Sequence, residues 1–124
     1  MSAKDVVITI HFNDLALEPE EQDGEVQNLL NQLKAMDEVE EVKRAVDPNP
    51  PLGSKPGAAF LLGMLTTEVN FKNARTVFNF LSERLSGKTI EMEVEANGKK
   101  FKVKASSQME LQAALEAAQK FVAA

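Results

Sequence analysis

The chain has no cysteine, no tryptophan and no tyrosine, and only one histidine in 124 residues. Without cysteine there is no disulfide framework, no thiolate zinc site and no cysteine nucleophile, and a reducing compartment fits, so a cytoplasmic protein is expected. Without tryptophan and tyrosine the commonest stacking and interface anchors are missing, which leaves phenylalanine, methionine and arginine for such work. Long hydrophobic runs are absent too. The longest candidate, Ala58 to Leu65, falls far short of the roughly 20 apolar residues of a membrane span, and no span is expected. The opening MSAKDVVITI passes from one lysine to an acid and a strand-like run, which argues against a signal peptide.

The charge is one-sided, with 19 acids against 14 bases and a net −5, whereas a phosphate-backbone binder needs a basic face. The lysines of KKFKVK lie opposite a run of glutamates, so a solvated ion-pair face is expected there and no nucleic-acid partner. The acidic clusters EPEEQDGE and DEVEEV lack the alternating oxygen ligands and central glycine of a calcium loop, and no metal is expected. LSGKT, Leu85 to Thr89, resembles the end of a phosphate-binding loop. Ser82, however, stands where that motif needs glycine, and a helix precedes it where a strand should, so Gly87 reads as a helix cap and no cofactor is expected. His11 has no serine, cysteine or second histidine nearby in sequence, and reads as an ordinary strand histidine. With no catalytic signature, the chain is expected not to be an enzyme.

Periodicity organises what remains into one domain, residues 1–124. Val6, Ile8, Ile10 and Phe12 alternate as a first strand. Val26, Leu29, Leu30 and Leu33 form a helix stripe ending near Met36, with Asp23 as candidate cap. Glu41 to Val46 reads as a short edge strand stopped by Pro48, Pro50 and Pro51. Ala74, Val77, Phe78, Leu81 and Leu85 step as a second helix that begins near Phe71. In TIEMEVEANGKKFKVKA, Asn97-Gly98 is the preferred pair for a two-residue type I′ turn. That turn sets Glu95 opposite Lys100, Glu93 opposite Lys102 and Glu91 opposite Lys104, with Val94–Phe101 and Met92–Val103 on the core side. Ser107 and Glu110 form a capping box ahead of a last helix carrying Leu111, Ala114, Leu115, Ala118 and Val122. The expected fold is α+β, β-α-β-α-β-β-α, a four-stranded mixed sheet packed with helices and closed by a β-hairpin plus helix.

One stretch resists this pattern: DPNPPLGSKPGAAFLLGMLTTEV, residues 47–69. Phe60, Leu61, Leu62, Met64 and Leu65 would point around most of a helix's circumference. Two readings stand open. The segment is a core helix pinned between sheet and helix, or part of it meets a second subunit or partner, with the Pro-Gly loop as a movable lead-in. On the second reading these five residues are the candidate partner-binding set.

The order of elements, with Gly57-Ala58 entering the apolar segment, Thr89 to Val94 and Asn97-Gly98, resembles the effector-associated constant component family over about Val6 to Val122. Those are small bacterial proteins encoded beside proteases and multi-component conflict or signalling systems. The resemblance implies a non-enzymatic adaptor, with a protease or effector encoded nearby as partner, while the second-subunit reading of the apolar segment would make the chain a homo-oligomer. The alternative is a small-molecule-binding domain or weak enzyme with a pocket between sheet and helices.

Overall fold

The computed structural model describes residues 5–14, 16–46 and 60–123. The elements are β1 (Asp5–Phe12), α1 (Pro19–Lys34), β2 (Val39–Val46), β3 (Phe60–Asn70), a 3-10 turn (Phe71–Asn73), α2 (Ala74–Arg84), β4 (Ile90–Ala96), β5 (Lys99–Ala105) and α3 (Gln108–Ala123). The class is α+β, as expected. The sheet differs from expectation in two ways: it has five strands, ordered β2-β3-β1-β4-β5, and every pairing is antiparallel.

The fifth strand is the segment expected to be a helix. Within β3, Leu65, Thr67 and Val69 are buried while Met64, Thr66 and Glu68 are only half-buried, a period of two rather than 3.6. The β-branched pair Thr66-Thr67 favours this, and the buried Thr67 hydroxyl donates to the Glu41 carbonyl at 3.0 Å. Near its start Gly63 takes φ +74°, and a Cβ there would sit 3.2 Å from the Phe12 carbonyl oxygen, so a side chain would be both strained and crowded. β3 thereby inserts between β1 and β2, which are not neighbours. The Pro-Gly loop, 47–59, lies outside the described residues.

All three helices pack on one side of the sheet. Val26, Leu29 and Leu33 of α1, Val77, Phe78 and Leu81 of α2, and Leu111, Leu115 and Ala118 of α3 share one cluster with Val6, Ile8 and Ile10 of β1 and Ile90, Met92 and Val94 of β4. Each fully buried aliphatic side chain contributes about 1.5–3 kcal/mol. The start of α1 is capped by Glu18 and Glu21 rather than Asp23. Asp23 faces the sheet instead: its carboxylate pairs with Arg44 of β2 and accepts the Gly63 amide at 3.2 Å, tying helix to strand where the loop arrives. The Arg44 Nε also donates to the Met64 carbonyl.

The hairpin has the register its turn dictates, from Glu95↔Lys100 to Glu91↔Lys104, with Asn97 at φ 56° and Gly98 at φ 77° as a type I′ turn needs. Ser107 caps α3 by accepting the Glu110 amide at 3.1 Å. The Glu110 carboxylate accepts from the amide and hydroxyl of Ser106, which holds its carboxyl below the usual range.

Candidate functional site

The side of the sheet away from the helices is covered by no described element. Its outward side chains form a grid, because residues paired across antiparallel strands point the same way. One row runs Glu41, Glu68, Val7, Glu95, Lys100 from β2 to β5. The next runs Lys43, Thr66, Thr9, Glu93, Lys102, and a third has Met64, His11, Glu91, Lys104. Read along the strands, β1 contributes Val7, Thr9 and His11, β3 contributes Met64, Thr66 and Glu68, β4 an all-glutamate file and β5 an all-lysine file. At the centre Thr66 and Thr9 form a shallow trough between Lys43 and Glu93.

A cavity of about 430 Å³ opens at one end of this trough, lined by Thr9, His11, Met64, Glu91, Lys102 and Lys104 among others. A second, about 130 Å³, lies at the other end against Val7, Glu41, Lys43, Thr66 and Glu68. In the first, the Glu91 carboxylate sits 3.6 Å from the His11 Nδ1 and 3.3 Å from the Lys104 Nζ. Lys100 reaches back to Glu93 at 3.6 Å. The Thr9 and Thr66 hydroxyls lie 3.3 Å apart across the trough floor. Among the described residues no hydroxyl is hydrogen-bonded to His11, so no nucleophile–base pair is assembled there.

The second end is chemically different. Carboxylate oxygens of Asp5, Glu40 and Glu68 lie within 4.8 Å of one another. Their donors are the hard oxygens that suit magnesium or calcium, but three are well below the six to eight a calcium ion takes. Among the described residues none of the three is ion-paired. The crowding favours the protonated form of Glu68. A hydrogen bond that the protonated Glu68 carboxyl donates to the Asp5 carboxylate raises its pKa above the ordinary value, helped by burial and by the negative charges of Asp5, Glu40 and Glu41.

The candidate partner-binding residues divide between the two faces. Leu65 is fully buried in the core and is no surface residue, while Met64 lines the trough; alternation along a strand separates them. The backbone of Phe60, Leu61 and Leu62 belongs to β3, but their side chains lie outside the described residues. On the helix side a cavity of about 240 Å³ lies between α2 and α3, lined by Ala74, Phe78 and Val122 among others. Sequence reasoning placed His11 and the Glu–Lys ladder on an outward face. It missed their union with Thr66, Met64 and Glu68 because β3 was taken for a helix.

No helix among the described residues is long and apolar enough to cross a membrane. A scan against protein-family models found no match, and neither the curated proteins nor the solved structures gave one.

Proposed function

We propose that the chain is a non-enzymatic interaction module that offers its open sheet face to a protein partner. The open face supports this reading: half-buried Val7 and Met64 and the threonines between them offer a surface that a partner can contact closely, beside charged files that fix its position. Pairing through the sheet edges is discouraged, since β5 carries a lysine at every position of its outward file and the β2–β3 pairing is broken by register shifts. The resemblance to effector-associated constant components points to a protease or effector of a bacterial conflict or signalling system. It now rests chiefly on Thr89 to Val94 and Asn97-Gly98, because a strand follows Gly57-Ala58 where the pattern has a helix.

The test is affinity capture from the native host with the unaltered chain and with Thr9→Lys and Thr66→Lys variants whose melting is unchanged. A protease or effector held by the first and lost by the variants is the expected result. Equal capture by all three would remove the open face from the function.

A second reading follows from the cavity around His11, Glu91 and Lys104, whose volume falls in the range of small-ligand pockets. On that reading a screen of small metabolites contains a compound that raises the melting temperature, and His11→Ala abolishes the rise.

A further inference from the structure

The cavity at the His11 end of the open face carries a charge imbalance. The hairpin register sets Glu91 opposite Lys104 and Glu93 opposite Lys102. Lys104 keeps its partner, 3.3 Å from the Glu91 carboxylate, but Glu93 is met at 3.6 Å by Lys100 from the neighbouring row. Lys102 is left with no ion pair among the described residues. Glu95, from which Lys100 is drawn away, does not line the cavity, whereas Lys102 does. Both carboxylates of the lining are therefore matched by lysines, and Lys102 is a surplus cation at a hollow of about 430 Å³.

The charges around Lys102 limit what it can attract. A cationic ligand would find Glu91 and Glu93 already engaged and would be repelled by Lys102. A ligand with two negative charges would bring the second one against those same glutamates, which stand on the adjacent strand. One negative charge fits. The remainder of the lining suits carbon: Met64 is half-buried and its unbranched thioether adapts to the shape of an occupant, the His11 ring stands beside it across the β1–β3 pair, and the methylene stems of Lys102 and Lys104 are apolar below their ammonium groups. The Thr9 hydroxyl is within hydrogen-bond reach of Thr66, so it places no demand on a ligand.

We infer that this cavity binds a small organic acid with a single carboxylate on a short apolar chain, the carboxylate at the Lys102 ammonium and the chain against Met64 and His11. This rests on the small-molecule reading of the same cavity and specifies the class of ligand.

The experiment is a titration of the ¹⁵N-labelled full chain with hexanoate, and in parallel with hexylamine, 1-hexanol and hexyl phosphate, which share its chain. Hexanoate should move the amide signals of Thr9, His11, Met64 and Lys102 to saturation, and bind more tightly than the other three. Its affinity should fall about fivefold in Lys102→Gln, the value of a half-open ion pair of about 1 kcal/mol, and stay unchanged in Lys99→Gln, an exposed lysine outside the cavity. The advantage of hexanoate over hexanol should shrink as salt is raised. Met64→Ala should weaken hexanoate and hexanol alike. Hexylamine or hexyl phosphate binding as tightly as hexanoate, a loss under about twofold in Lys102→Gln, or an equal loss in Lys99→Gln would overturn the inference. A stabilising compound from the metabolite screen that is no acid, at a cavity where hexanoate fails to bind, would sink the acid alone and leave the small-molecule reading standing. Failure of both hexanoate and the screen would remove both.

Discussion

Truncating two adjacent residues of β3 puts the strand assignment at risk. Leu65 has no exposed surface and sits in the core, whereas Met64 is half-buried on the open face. Leu65→Ala removes three carbon atoms, about 2.4 kcal/mol in transfer free energy at roughly 0.8 per methylene. The cavity left beside Ile10, its partner on β1, raises the cost into the range of about 2.7–5 kcal/mol seen for buried leucines, and about 3.5 is expected here. Unfolding entropy near 2.1 cal/mol/K per residue then makes the loss about 13 °C in melting temperature for a chain of 124 residues. Met64→Ala leaves the core packing intact, so it should cost under about 1 kcal/mol, or less than about 4 °C. Thermal melts followed by far-ultraviolet circular dichroism, with urea midpoints as a check on reversibility, measure both. On the core helix first expected here, buried on several sides, both positions would be packed and their losses would be similar. Losses equal within about 0.5 kcal/mol would therefore refute the strand.

Three further outcomes follow from local chemistry. Gly98→Val places a β-branched residue at φ 77° and should cost about 1–2 kcal/mol or more, whereas Lys102→Glu, opposite Glu93, should cost no more than about 1 kcal/mol; equal losses in urea unfolding would show the turn type to be wrong. Asp23→Ala strips the carboxylate from Arg44 and from the Gly63 amide and should destabilise by about 1.5–3 kcal/mol, read from the urea midpoint, with a loss below about 0.5 showing that the contact does not anchor α1. Because the folded chain holds on Glu68 a proton that the unfolded chain releases, this group lowers stability as pH rises from 4.5 through its raised value. Glu68→Gln should flatten that part of the pH profile and be the more stable form at neutral pH; an unchanged profile would show that the proton is not held there.

The parts of the fold legible in the sequence are those whose signals are local. Asn97-Gly98 fixes a register over seven residue pairs without reference to the rest of the chain, and the stripes of α1, α2 and α3 are each read within one helix. β3 was illegible for a physical reason. FLLGML is apolar at both parities, Gly63 breaks the run, and Thr67 puts a polar residue on the core face, so the period of two is hidden. The trough was lost with it, since its floor exists only where Thr66 and Met64 lie beside Thr9 and His11, residues more than fifty positions away. The acidic end was equally hidden: Asp5, Glu40 and Glu68 are on three different strands, and nothing in sequence spacing announces their approach.

The position of β1 at the middle of the sheet has a consequence for how the chain is made. Thr9 pairs with Thr66, 57 residues later, and with Glu93 later still. At about 5–20 residues per second, roughly 3–11 s of synthesis separate the central strand from its first partner. Throughout that interval Val6, Ile8, Ile10 and Phe12 form an apolar file with two unpaired edges, and α1 is the first described element able to shield it. By contrast β4, β5 and α3 are contiguous and can assemble among themselves once they emerge. The segment most prone to aggregate is thus translated before both of the strands that flank it, so nascent chains halted before β3 should be the ones that recruit chaperones.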